Sequence, residues 1–319
     1  MTPNKIFLGL GAGLISAVVF ASATTGPMLA RFALFLLTPL SLYLAGLGLG
    51  PMVAAIAGIA ATAIVAVIAQ PVAALIYGVS EALPAILLCR QALLARGEGA
   101  EREWFPVGNM VATAALMAGF SALLILVLMG ADVEALSKSM KTFVETFVKS
   151  ELPGLPGAPT IADEQIPQIA EVTLRLLPGA LALSIMITML LNLWIAGRIT
   201  LASGRLERPW PDVSSMALPS SASFGLAGAL ALSFVGGFAG LAAGAFAGAY
   251  FFAFALMGLA VAHFVTRGSP WRGFTLAGLY AMLFVYSFST TLILAFIGLG
   301  ETILGYRAAF SRGAPPGHS

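Results

Sequence analysis

The residue best suited to chemistry is Glu81, an acid within a long apolar stretch that reads Tyr77-Gly-Val-Ser-Glu-Ala-Leu-Pro84. In a helix, Tyr77 lies one turn before Glu81 and shares its face. Pro84 has no backbone N–H, so a carbonyl of the preceding turn loses its helical donor. A kinked, polar half-turn of this kind favours a binding cavity or a proton-linked site. The alternative is a protonated or hydrogen-bonded glutamate with a structural role.

Two further polar positions could belong to the same cavity. Asn192 lies in an apolar run, where an amide can line a pocket or bond a neighbouring helix. Tyr286 lies in an apolar run rich in hydroxyl groups, which is typical of a helix that faces a pore or a packed interface. We predict that Tyr77, Glu81, Asn192 and Tyr286 line a cavity for a small solute.

Several kinds of chemistry are disfavoured by composition. Cys89 is the single cysteine and there are two histidines, so we predict no metal and no other cofactor. One of the two, His263, lies one turn before Arg267, and the pair could contact a lipid headgroup or be structural. The sequence has no G-x-x-x-x-G-K-[ST] run, so any transport would need a partner ATPase or an ion gradient. A net charge of +2 without basic runs argues against nucleic acid as a partner. We predict that the protein is not an enzyme.

The elements that position these residues are membrane helices. Hydrophobic residues make up 59% of the chain and charged residues 9%, against about 45–50% and about 25% in soluble domains. A hydrocarbon core about 30 Å thick needs about 20 apolar residues per helical span. We therefore predict an all-α, polytopic transmembrane bundle of about nine spans, with eight as the alternative. The predicted spans are 6–23, 32–48, 51–69, 72–89, 105–130, 174–197, 219–236, 240–265 and 273–299.

The spans suggest four regions. Residues 1–130 form an N-terminal bundle of five spans, and 174–300 form a C-terminal bundle of four. Between them lies an external loop, 131–173, whose segment 132–150 alternates apolar and charged residues with helical spacing. This amphipathic helix is either a lid over an external site or a helix resting at the membrane interface. Residues 301–319 form a tail.

Lys and Arg residues of short loops set the orientation of membrane proteins, because such loops carry more positive charge on the cytoplasmic side. A cytoplasmic N-terminus places Arg31 and Arg175 outside, whereas Arg307 and Arg312 of the tail disagree if there are nine spans. We predict a multi-pass protein of the bacterial inner (cytoplasmic) membrane, with the lipid bilayer as its surroundings. The residues then inside are Lys5, Arg90, Arg96, Arg102, Arg198, Arg205, Arg208, Arg267 and Arg272.

Glycine recurs every four residues at Gly240, Gly244 and Gly248, and also at Gly9 and Gly13. Small residues at this spacing let membrane helices approach closely. They support an alternative to solute binding, in which the protein is a non-transporting envelope scaffold that contacts partner membrane proteins through its glycine faces and its loop.

Three segments resemble a known family. They are Leu37-Thr-Pro-Leu40 with the glycine-rich turn that follows, Arg208-Pro-Trp-Pro-Asp212 with Leu218-Pro219, and the run 298–307. Together they resemble the YybS-like family of uncharacterised bacterial membrane proteins. That family in turn is similar to the S components of energy-coupling-factor (ECF) transporters, chiefly over the first four spans here.

The resemblance implies a substrate-binding membrane subunit for a vitamin-like or other small solute, working with a partner ATPase. Its motif residues here are Trp210, Pro219, Glu301 and Arg307. The acid at Glu301 departs from the family pattern, in which Asp is commoner, and this leaves the role of Glu301 open.

Overall fold

The computed structural model describes residues 2–151 and 161–308. Within them the chain is 82% helical and its strands are those of a two-stranded hairpin, β1 (Ala95–Arg96) and β2 (Glu103–Trp104), so the predicted all-α class is confirmed. The helices are α1 (Pro3–Ser22), α2 (Met28–Leu37), α3 (Leu40–Leu49), α4 (Pro51–Ile68), α5 (Pro71–Tyr77), α6 (Leu83–Ala92), α7 (Val107–Leu128), α8 (Val133–Thr146), α9 (Ile166–Ala202), α10 (Ser220–Ser233), α11 (Gly237–Val265), α12 (Arg272–Val285) and α13 (Ser287–Leu304).

Eight helices of the described residues are long and apolar enough to cross a membrane, counting α2–α3 and α5–α6 as one span each. Two of the nine predicted spans differ from the structure. The segment predicted over 219–236 forms α10, which at 14 residues reaches about 21 Å. The segment predicted over 273–299 divides at Tyr286 into α12 and α13, and the second of these continues to Leu304, into the predicted tail.

Turn residues explain why neighbouring helices reverse where they do. Gly50 has φ +113°, a conformation that favours glycine, and Pro51 begins α4 directly after it. Gly236 has φ +81° between α10 and α11, at the predicted turn. The N-terminus of α8 is capped by Asp132, whose carboxylate accepts hydrogen bonds from two backbone amides. Residues 152–160, after α8, lie outside the described residues.

The glycine repeats pack inside the chain. Gly13 of α1 lies against the backbone of Ala57 in α4, and Gly248 of α11 lies against the backbone of Gly179 in α9. A side chain at either glycine would collide with that backbone, so these helices approach more closely than larger residues would allow. One buried core of mostly small residues extends through both halves of the bundle, from Ala17 to Ala295.

One end of the bundle carries several basic residues, and we call it the basic face. Its members include Lys5, Arg208, Arg267, Arg272 and Arg307. Lys5 donates to the carbonyl of Leu49 there, and the last turn of α9 packs beside Gly48 through Thr200. The loop from 203 to 219 belongs to the same end, because Arg208 donates to the carbonyl of Ala92. The opposite end carries α8, whose Leu136 packs with residues of α9 and α11.

Helices α12 and α13 form a hairpin with both ends at the basic face. Arg272 begins α12 five residues after Arg267, which pairs with Asp212. At the other end, Arg307 donates to the carbonyl of Ser214, two residues from Asp212. The 14 residues of α12 reach about 21 Å, less than the hydrocarbon core of about 30 Å. The hairpin thus begins and ends at the basic face, which places Arg307 with the other basic residues there.

Candidate functional site

Glu81 and Tyr77 lie together in the bundle interior. Both are buried, and Glu81 belongs to a π-helical segment, Gly78–Ala82, between α5 and α6. Such a widened turn is frequent at functional sites, and here it precedes Pro84, which cannot donate to the Ser80 carbonyl. The Oε2 atom of Glu81 is buried with no hydrogen-bond partner among the described residues.

The predicted partner residues of Glu81 connect to a different feature, the break between α2 and α3 at Thr38-Pro39. Ser16 donates to the Thr38 carbonyl (2.6 Å), and the Tyr77 hydroxyl lies 2.6 Å from the same serine oxygen. Asn192 of α9 is fully buried and donates to the Leu36 carbonyl (2.7 Å). These side chains satisfy carbonyls that the helix break leaves without helical donors. Asn192 therefore bonds a neighbouring helix, one of the two alternatives for it.

Tyr286 lies apart from this cluster. It occupies the break between α12 and α13 and is 63% exposed, at the tip of the hairpin. The structure thus brings Tyr77 and Glu81 together, ties Tyr77 and Asn192 to the same helix break, and leaves Tyr286 on the outer surface.

A large cleft opens at the basic face, separate from the four predicted residues. Its volume is about 900 Å³, within the range of ligand pockets. Three helices supply apolar walls: α7 through Met110, α9 through Leu190 and Leu193, and α11 through Leu256 and Leu259. Helix α12 bounds one side and buries none of its residues, so the cleft lies at the periphery of the bundle.

The mouth of the cleft is positively charged. Arg208, Arg267 and Arg272 face a single acid, Asp212, which leaves an excess of two positive charges if His263 is neutral. Arg208 is 8% exposed, and its guanidinium contacts the Ala92 carbonyl and the Met110 sulfur. Burial lowers the pKa of Arg208, yet a guanidinium with an ordinary value above about 12 keeps its charge.

Arg208 forms no ion pair among the described residues, whereas Arg267 is paired with Asp212. A buried cation without a carboxylate partner is costly to desolvate and is rarely kept without a use. Across the mouth, the His263 Nε2 atom lies 2.9 Å from the Tyr280 hydroxyl, which links α11 to α12. The cleft therefore combines an apolar interior with polar groups that converge at one end.

The motif residues meet around this cleft. Trp210 lines it, with the guanidinium of Arg198 5.0 Å from its ring centre, and Pro219 directly precedes α10. Glu301 forms an ion pair with Arg307 (2.8 Å), which also donates to the carbonyls of Ser214 and Met216 between Trp210 and Pro219. Segments about 90 residues apart in sequence are thereby joined by one guanidinium.

A family model described as "Predicted membrane protein (DUF2232)" matches residues 14–299, about nine tenths of the chain. The chain belongs to this family. The DUF2232 match covers every residue that lines the cleft and ends two residues before Glu301. No curated protein and no solved structure matches the chain significantly. The description of the DUF2232 family as membrane proteins agrees with the eight apolar helices of the described residues that are long enough to cross a membrane.

The rim of the cleft was not predicted as a site. Arg208 and Arg272 were used to set orientation, and Arg208 and Asp212 bound one segment of the family resemblance. Contact with a lipid headgroup was one of two alternatives for His263 and Arg267. The available signal was the density of arginine in 205–212 and 267–272, beside Trp210 and Trp271. That signal indicates an interface, but it does not show that two loops about 55 residues apart meet.

The Asp212–Arg267 pair predicts a pH-dependent contribution to stability. The hydrogen bond from Arg267 holds the pKa of Asp212 below its ordinary value of about 3.9, so this contribution is present above that value and is lost as pH falls through the lowered pKa. Because both side chains are nearly half exposed, we expect less than about 1 kcal/mol. The difference in melting temperature between wild type and Asp212→Asn should be constant above pH 5 and shrink below about pH 4.

Glu164→Gln is the matched control, since Glu164 is exposed and forms no ion pair among the described residues. A difference in melting temperature between wild type and Asp212→Asn that stays unchanged down to pH 2.5 would show that the ion pair does not stabilise the fold.

Proposed function

We propose that this protein is a non-enzymatic binding component for the uptake of a small solute, and that the solute occupies the basic-face cleft rather than the surroundings of Glu81. The observation that carries the proposal is the cleft itself, with about 900 Å³ of apolar interior beneath three arginines. A concave apolar volume with a few convergent polar groups is the usual form of a small-molecule site. Glu81, by contrast, is enclosed by the bundle at 5% exposure.

The proposal includes an orientation. Most basic residues of the short loops lie at the basic face, which by the charge rule is cytoplasmic in a bacterial inner membrane. Both the N-terminus and Arg307 are then cytoplasmic, and the cleft opens on the side where an uptake protein releases its solute. The likeness to YybS-like proteins and to ECF S components supports the same role. Work would be supplied by a partner ATPase or an ion gradient.

The scaffold alternative has less support. It depended on glycine faces available to partners, and the repeats at Gly9, Gly13, Gly240, Gly244 and Gly248 all pack against other parts of this chain. A scaffold would have to use other surfaces, such as the exposed face of α8.

The proposal predicts that filling the cleft removes a bound compound. Leu256 lines the cleft and is partly buried, so Leu256→Trp places an indole in the volume that the solute would occupy. Untargeted mass spectrometry of gently purified protein should detect a compound on wild type that falls at least tenfold on Leu256→Trp. Leu232→Trp is the matched control, because Leu232 is exposed on α10 and lies outside the cleft lining.

Two results would contradict this assignment. A compound that stays on Leu256→Trp but is lost from Glu81→Gln would move the site to the bundle interior. Recovery of no compound from any of the proteins would remove the support for solute binding.

A further inference from the structure

The groups in the cleft define the chemistry of its occupant more narrowly than solute binding alone requires. Arg208 is nearly buried, carries a planar guanidinium with five N–H donors, and has no carboxylate partner among the described residues. Arg272 is partly buried at the same mouth and likewise forms no ion pair among them. Guanidinium groups match the geometry of phosphate oxygens and are less strongly hydrated than ammonium groups, so they suit a phosphate held near apolar surface.

The rest of the cleft suits a hydrocarbon chain. Its apolar walls come from α7, α9 and α11, and they continue from the arginines towards the membrane interior. The flanking side chains of Trp194 and Tyr280 are 55% and 48% exposed, so the cleft is open towards the lipid between α9 and α12. Tryptophan and tyrosine are common at the level of lipid headgroups, which places the mouth at that level.

A soluble phosphate compound would use the arginines but not the apolar walls, and a neutral lipid would use the walls but leave Arg208 without a counter-charge. A molecule that carries both a phosphate and a hydrocarbon chain contacts the arginines and the apolar walls together. Basic pockets between membrane helices are known to hold anionic lipid headgroups.

We infer that the cleft binds a phosphate-bearing lipid that enters sideways from the bilayer, with its phosphate against Arg208, Arg267 and Arg272 and its chain between α9 and α12. This inference rests on the proposed function only in using the same cleft. It identifies the solute as an amphiphile rather than a water-soluble vitamin-like compound.

Trp210 provides a local probe, since it lines the cleft and is partly buried. The sequence has four tryptophans, so Trp104→Phe, Trp194→Phe and Trp271→Phe together leave Trp210 as the single reporter. The ligand tested is lysophosphatidic acid with a dibrominated 18-carbon chain, because bromine quenches indole fluorescence at short range. Monoacylglycerol with the same brominated chain is the neutral counterpart. Both are added to the full chain in mild detergent micelles.

We expect saturable quenching of Trp210 by the brominated lysophosphatidic acid, with an apparent affinity at least tenfold higher than for the brominated monoacylglycerol. Arg208→Gln should lower the affinity for lysophosphatidic acid at least tenfold, whereas Arg205→Gln should change it less than twofold. Arg205 is an exposed arginine of the same loop outside the cleft lining. If Arg208→Gln does not fold, Arg272→Gln replaces it, with an expected loss of at least threefold.

Three results would overturn the inference. Equal binding of the two lipids would show that phosphate is not recognised, and displacement of the brominated lipid by inorganic phosphate at equal concentration would show a site for free phosphate. Absence of saturable quenching in a folded protein would show that no such lipid enters. In each case the compounds identified on wild type and lost from Leu256→Trp still test the proposed function, so the two failures can be told apart.

Discussion

Gly258→Ala is expected to destabilise the protein by about 3 kcal/mol, near the upper end of the effect of over-packing. A Cβ atom at Gly258 would lie well inside van der Waals distance of the Leu294 carbonyl oxygen, and Gly298 lies equally close to the backbone of Phe254. These two glycines allow α11 and α13 to pack backbone to backbone, and backbone atoms cannot move aside as a flexible side chain can. The measurement is the melting temperature of the protein in detergent, with unfolding monitored by circular dichroism.

Gly228→Ala is the control, because Gly228 also lies within a helix, α10, but has open space where its Cβ would be. Alanine favours a helix over glycine by up to about 1 kcal/mol, so this variant should melt at the same temperature as wild type or slightly higher. Equal melting of the two variants would mean that α13 does not pack on α11 as closely as described.

Loss of the Arg307 side chain should lower the free energy of unfolding by a similar amount. Glu301 and Arg307 form an ion pair with side chains 7% and 13% exposed, and Arg307→Ala leaves the glutamate buried without its cation. Breaking a buried pair in this way costs about 3–5 kcal/mol. Two carbonyls in the 214–216 segment also lose a donor, so the loop beside Trp210 should loosen. The melting temperature and the rate of proteolysis in this loop are the measurements.

Arg175→Ala is the matched control, since Arg175 pairs with Glu171 at 2.6 Å but both side chains are mostly exposed. An exposed pair contributes about 0–1 kcal/mol, so this variant should be close to wild type. Adding Glu301→Gln to Arg307→Ala should recover part of the loss, because the uncompensated charge is then absent. A single variant Arg307→Ala with wild-type stability would contradict a structural role for the pair.

The parts of the fold that were predictable depend on local chemistry. The turns at Gly50 and Gly236 follow from the residues themselves, and the spacing of apolar residues in 132–150 predicts α8, which begins after its cap at Asp132. A shorter last helix followed by a re-entrant piece was an alternative, but the position of the division was not predicted because Val285-Tyr286-Ser287 contains neither proline nor glycine. After the break, α13 packs on α11 through Gly258, a contact between residues 36 positions apart that local sequence does not reveal.

The candidate site was harder to predict for the same reason. Tyr77 and Glu81 are close in sequence and both are buried, with Glu81 in a widened turn before Pro84, and their part in a solute site stays a prediction. The mouth of the cleft combines Arg208 with Arg267 and Arg272 from a distant loop, and sequence spacing carries no information on that meeting. The resemblance singled out Trp210, which lines the cleft, and Arg307, which donates to the Ser214 carbonyl, and a functional role for either residue stays a prediction.

The hydrogen bond from Asn192 to Leu36 has a consequence for biogenesis. The two residues are 156 positions apart, so on a ribosome adding about 5–20 residues per second the donor is made on the order of ten seconds after its acceptor. During that interval the Leu36 carbonyl at the break between α2 and α3 lacks this donor, whereas the Thr38 carbonyl already has the hydroxyl of Ser16, which is made earlier. We therefore expect the segment Met28–Leu49 to reach its final arrangement late, once α9 has been made and supplies the amide of Asn192.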